Sequence, residues 1–184
     1  VSSDGGATWK SGSGPADAPY TALAYFNGGV WMGTEKRGVA YGGASGASWT
    51  ALNNGMSLPP FSVDANSISS IVSHVGSSNI VAGQTFGVYL SKDSGQNWSR
   101  SVTGLPTCSV LLGSSLPCAV NDLAAVGSAL LAATESGISR SLDGGATWAA
   151  SGLTGSKVTK LSAGNGAVYA LAPGLYKSSD NGVS

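Results

Sequence analysis

Three features of the sequence predict an all-β chain, a β-propeller built of four-stranded antiparallel blades. A turn motif ending in tryptophan recurs along the whole length. Short apolar strands flank each copy in the same order. The composition suits strands and turns: glycine contributes 28 of 184 residues, spread along the chain, while Glu, Lys and Gln are scarce.

The turn is the clearest of the three. "SSDGGATW" ends at Trp9, "GGASGASW" at Trp49, "SKDSGQNW" at Trp98 and "SLDGGATW" at Trp148, with spacings of 40, 49 and 50 residues. A fifth copy, "SSDNGVS", runs from Ser178 to Ser184. Periods of about 40 to 50 residues carrying four strands apiece are the mark of propeller blades. A β-sandwich does not repeat a turn at a fixed phase.

Each strand follows from the same alignment. "YTALAYF", "ISSIVSHV", "NDLAAVG" and "VTKLSAG" read as first strands, and "GGVWMGT", "SNIVAGQ", "SALLAAT" and "GAVYALA" as second strands. "GVAYGG", "GVYLSKD", "GISRSLD" and "GLYKSSD" alternate side chains into the turn and read as third strands. The tryptophan opens a short fourth strand in "WTAL", "WSRS" and "WAAS". The predicted blades cover roughly 14–51, 66–101, 119–151 and 156–184, with 1–13 adding a turn and a fourth strand.

Elementary chemistry accounts for the turn. Its aspartate (Asp4, Asp93, Asp143, Asp180) accepts hydrogen bonds from amides a few residues on. Its glycine (Gly6, Gly46, Gly95, Gly145, Gly182) supplies positive φ. The hydroxyls of Ser2, Ser91, Ser141 and Ser178, with those of Thr8, Ser48 and Thr147, tie off remaining backbone groups. The tryptophan then buries a large apolar face. In the second copy Gly42 and Ala44 replace Ser and Asp, which predicts a looser turn there.

These residues resemble the Asp-box, or BNR, repeat of sialidase-type propellers, also found in xyloglucanase-type glycoside hydrolases, sortilin-type receptors and a photosystem assembly factor. The resemblance covers the whole chain. It implies the propeller fold, with the boxes on its periphery away from the ligand face. It does not choose among enzymes, receptors and chaperones.

Charge excludes some functions. Only 10% of residues are charged and the net charge is zero, so neither a nucleic-acid surface nor a polybasic anchor is written here. No apolar run approaches the ~20 residues of a membrane span. Cys108 and Cys118 are predicted to form a disulfide, which places the chain outside the cell, at its surface or in the periplasm. No cofactor or metal is expected: the cysteine spacing is not that of a zinc site, and His74 stands alone.

Outside the turns the free acids are Asp17, Glu35, Asp64, Asp122 and Glu135. Glycoside hydrolysis usually needs two carboxyls facing each other. Glu35 and Glu135 hold equivalent places two blades apart and read as solvated turn residues. The sialidase resemblance would further require an arginine triad, yet Arg37, Arg100 and Arg140 fall at three unlike positions. Phe61 and Phe86 are the aromatics best placed to meet a ligand, with Glu35 and Glu135 as weak polar candidates.

Both ends lie in the same phase of the repeat, so a cut from a longer chain is the favoured reading. The expectation is therefore a non-catalytic extracellular binding or scaffold module, with a protein or glycan ligand at the propeller face. The alternatives are a piece of a glycoside hydrolase with its catalytic acids elsewhere, and a subunit that self-associates through open blade edges.

Overall fold

The computed structural model describes residues 2, 4–9, 14, 19–43, 48–56, 67–111 and 114–184, and these form strands and turns with no helix. Four antiparallel sheets follow one another in chain order. The first joins β1 (Tyr20–Phe26), β2 (Gly29–Thr34), β3 (Val39–Gly43) and β4 (Trp49–Ala51). The second joins β5 (Ile68–Ser73), β6 (Ile80–Gln84), β7 (Gly87–Ser91) and β8 (Ser99–Arg100). A hairpin of β9 (Thr107–Leu111) and β10 (Ser114–Pro117) intervenes. The third sheet joins β11 (Val120–Val126), β12 (Ala129–Thr134), β13 (Gly137–Ser141) and β14 (Ala149–Gly152). The fourth has three strands, β15 (Lys160–Gly164), β16 (Ala167–Leu171) and β17 (Leu175–Ser178).

Hairpin turns set the meander within each sheet. Asn27-Gly28 and Asn165-Gly166 both take positive φ at both positions, the geometry whose twist matches paired strands. The register then repeats. A bulge follows the first residue of β1, β5 and β11, and Trp31, Val81, Leu131 and Tyr169 hold one equivalent position on the second strands.

The sheets stack face to face as blades. Trp31, Val39, Met56, Ile80 and Trp98 fill the space between the first and second, and Val81, Val88, Leu123, Leu130 and Trp148 that between the second and third. Every residue of β6 and β12 is buried, as expected of strands covered on both faces. The first strands are tied side by side by a recurring side-chain bond. Thr21 Oγ1 donates to the Ile68 carbonyl (2.6 Å), Ser69 Oγ to that of Val120, and Asn121 Nδ2 to that of Val158 (2.8 Å).

The β9–β10 hairpin was not predicted; it falls mostly between the predicted blades 66–101 and 119–151. Cys108 and Cys118 do form a disulfide there, with Cα atoms 4.6 Å apart. Closing a loop of that length restricts the unfolded chain and stabilises by about 2–3 kcal/mol.

Exposure differs between equivalent positions in the first and last sheets and those in the sheets between. Leu23 on β1 is equivalent in register to Ile71 and Leu123, which are buried, yet it is 73% exposed. Tyr169 on β16 is 41% exposed, whereas its counterparts Trp31, Val81 and Leu131 are buried.

Candidate functional site

The feature that recurs in the second, third and fourth sheets is the serine–aspartate turn. In the third, Ser141 Oγ donates to Asp143 (2.8 Å) and accepts the Gly145 amide (2.8 Å). Asp143 also takes the amides of Ala146 (3.0 Å) and Thr147 (2.9 Å) and the Thr147 hydroxyl (2.6 Å). The second sheet repeats this with Ser91, Asp93, Gly95 and Asn97. The fourth repeats it with Ser178, Asp180, Gly182 and Ser184. The set Ser2, Asp4, Gly6 and Thr8 does the same near the first residues. Of the copy at 42–49, Ala44 and Gly46 lie outside the described residues; Ser48 is exposed and Trp49 half-buried.

These bonds stabilise the charged carboxylate. Burial pushes the Asp143 carboxyl up, but the Thr147 hydroxyl and amide, Ser141 and the Ala146 amide outweigh it and hold the pKa at about 2, below an ordinary 3.8. The Thr8 hydroxyl and amide, with Ser2, bring Asp4 to about 2 as well. Asn97 lowers Asp93, and Ser178 and Ser184 lower Asp180. A depressed carboxyl adds stability that is present above its unfolded pKa and lost as pH falls through the folded one. The thermal midpoint is therefore expected to drop as pH is lowered from about 4 to about 2. In a thermal melt series, Asp143→Asn should show a smaller drop over that window; an unchanged slope would contradict the assignment.

Each turn also reaches the preceding sheet. The Trp98 amide donates to the Asn54 carbonyl (2.8 Å) and its indole N–H to that of Leu52 (2.9 Å). The Trp148 amide donates to the Thr103 carbonyl (2.9 Å). The turn glycine leaves room for the neighbour: a Cβ on Gly145, at φ +92°, would come within 2.6 Å of the Val81 side chain. Trp98 and Trp148 are buried as a result, but Trp9 is 76% exposed, its indole N–H bonded only to the Gly6 carbonyl (3.0 Å) of its own turn.

Several linking residues escaped the sequence reading. Ser101 Oγ donates to the Gly145 (2.5 Å) and Ala146 (2.8 Å) carbonyls of the following turn. Ser151 makes the equivalent bond to Gly182. Both serines stand three residues after a turn tryptophan, in "WSRS" and "WAAS", so the signal was present in the repeat. Asn79 Nδ2 to Gly144 (3.0 Å) and Arg140 Nε to Asn181 (3.2 Å) add further ties.

The ligand candidates do not converge. Glu35 lies in the turn after β2, half-buried, its amide bonded to the Pro19 carbonyl (2.9 Å). Glu135 lies in the turn after β12, two sheets away, where Lys157 at 2.9 Å lowers its pKa. Phe86 is half-buried in the turn after β6, and its carbonyl accepts Arg100 (2.9 Å). Phe61 lies outside the described residues, as do Asp17 and Asp64. Asp122 is spent on the backbone, accepting the Leu161 amide at 3.0 Å. His74 bridges Ser77 and the Ser128 carbonyl, both at 3.1 Å.

No protein-family model matches the chain, and no curated protein does. Among solved structures it is similar to an ancestral GH74 enzyme, with a TM-score of 0.65 and 17% identity, over 90% of this chain and 23% of that one. It is similar to the extracellular domain of a putative one component system from B. thetaiotaomicron, BT4673, with a TM-score of 0.66 and 19% identity, over 86% of this chain and 20% of that one. It is similar to YCF48 bound to D1 peptide, with a TM-score of 0.61 and 17% identity, over 97% of this chain and 57% of that one. The chain thus spans about a quarter, a fifth and a little over half of these proteins. Four stacked antiparallel sheets and these likenesses together give the fold: the chain is all-β, made of β-propeller blades, three of which have four strands and the last three.

Proposed function

We propose that the chain is an Asp-box propeller segment that acts outside the cell as a non-catalytic binding or structural module. The observation that carries this reading is the commitment of most of its described carboxylates. Asp4, Asp93, Asp143 and Asp180 are saturated by their own turns, Asp122 by a neighbouring strand and Glu135 by Lys157. A glycosidase acid needs a raised pKa and a facing partner. Every resolved carboxyl shift here is downward. The disulfide favours an oxidising compartment. The peptide-bound YCF48 structure lends weight to a protein ligand.

The test is a hydrolysis assay of the 184-residue chain on xyloglucan, on β-glucan and on sialosides. No turnover above the blank is expected. Turnover that disappears in Glu35→Gln or Glu135→Gln would replace this reading with a glycoside hydrolase.

A further inference from the structure

A pocket of about 270 Å³ opens at the junction of the first and second sheets, lined by Asn27, Trp31, Tyr41, Leu52, Ser94 and Gln96. The turn of the second sheet crosses it. Gly95, between Ser94 and Gln96, lies against the Trp31 indole, where a Cβ would come within 2.6 Å of the ring. Trp31 is buried and stacked on Phe26, with centroids 5.2 Å apart, and the half-buried Tyr41 tilts against it at 4.9 Å. Gly29 makes room for the Tyr41 ring, since a Cβ there would clash with it. The same place is closed between the second and third sheets. Asn79, two residues before Val81 as Gly29 is before Trp31, donates there to the Gly144 carbonyl. Ser101 donates to the carbonyls of Gly145 and Ala146. Leu52 stands where Ser101 does, three residues after the turn tryptophan, and Tyr41 where Leu90 does. Neither Gly29 nor Leu52 carries a side-chain donor, so those ties cannot form at the first junction. The side chains of Asn27, Ser94 and Gln96 are exposed there and hold no hydrogen bond among the described residues.

We propose that this pocket binds a neutral sugar, one pyranose unit of a glycan. The inference rests on the reading of the chain as a binding module and gives that module a ligand class. A pyranose ring has an apolar face of C–H groups, which the Tyr41 ring can cover. Its rim carries hydroxyls that each donate and accept. The carboxamides of Asn27 and Gln96 and the hydroxyl of Ser94 also do both. No lining residue among those described is charged, so an acidic sugar or a phosphate has nothing to pair with. A peptide backbone is served by a strand edge, with donors and acceptors at fixed spacing, rather than by three separate side chains. No carboxyl lines the pocket either. Turnover in the hydrolysis assay would therefore overturn the non-catalytic reading without deciding whether a sugar binds here.

NMR titration of the 184-residue chain with the methyl glycosides of glucose, galactose, mannose and N-acetylglucosamine tests this. At least one glycoside is expected to shift the Asn27 and Gln96 carboxamides and the Gly95 amide together. The Asn165 carboxamide, in the same hairpin turn of the fourth sheet, should not move. Two variants borrow the chain's own counterparts from the closed junction, Tyr41→Leu after Leu90 and Gln96→Ala after Ala146, so the fold should tolerate both. A thermal melt checks that it does. Tyr41→Leu should weaken binding about 10-fold or more, and Gln96→Ala about 5-fold. No shift at Asn27 and Gln96 with any of the four glycosides overturns the proposal, as does binding that folded Tyr41→Leu leaves unchanged. Shifts produced by a proline-rich peptide and by no glycoside would make the pocket a peptide site, overturning it too.

Discussion

Trp148→Ala lowers the unfolding free energy by about 3–5 kcal/mol, the usual cost of emptying a buried tryptophan site. The ring is 5% exposed and fills the space between the second and third sheets with Val81, Val88, Leu90, Leu130 and Ala132. Removing it leaves a cavity that those β-strand neighbours cannot close without breaking their own ladders. For a chain of this length the thermal midpoint should fall by roughly 10 °C. Trp9→Ala should change it by less than about 0.5 kcal/mol, because an exposed ring has little packing to lose. The same motif thus predicts two very different costs. Equal melting shifts for the two variants would show that the indole does not act by joining blades.

Gly104→Ala should cost about 2–5 kcal/mol, combining positive-φ strain with the displacement of a packed neighbour. Gly104 holds φ at +84°, and a Cβ there would overlap the carbonyl oxygen of Trp148. That oxygen cannot yield without pulling the Trp148 amide from the Thr103 carbonyl and tilting the indole in its slot. Gly155 is the internal control. It occupies the equivalent place with φ +80° and open space around it, so Gly155→Ala should cost only the strain, about 1–2 kcal/mol. Chemical denaturation of both variants reads the difference directly. A Gly104→Ala variant no worse than Gly155→Ala would mean that the loop after the fourth strand does not seat the next tryptophan.

What was legible in the sequence follows from how local each interaction is. The bonds of Ser141, Asp143, Gly145 and Thr147 lie within seven residues, so residue types and spacing were enough to read them. Strand order was legible because hairpin connections leave adjacent strands no other simple arrangement. Burial was not. Trp9 and Trp148 end identical words, "DGGATW", yet one is exposed and the other buried. Burial needs a preceding sheet to supply the far wall, and no pattern around Trp9 states whether one is there. The β9–β10 hairpin was hidden for another reason: it occurs once, so the repeat that clarified every other strand said nothing about it. Glu35 and Glu135, equivalent in the repeat, read from the sequence as solvated turn residues. Glu35 belongs to the first sheet and Glu135 to the third, with the second sheet between them.

The most direct test of the account is the side-chain carboxyl titration of Asp143 by NMR. If the turn carboxylates are structural staples, Asp143 titrates at about 2, well below 3.8, and Asp143→Asn removes that transition. A value at or above 3.8 would mean that the turn does not hold its charge. The carboxylate would then be free for chemistry, contrary to the role assigned to it here.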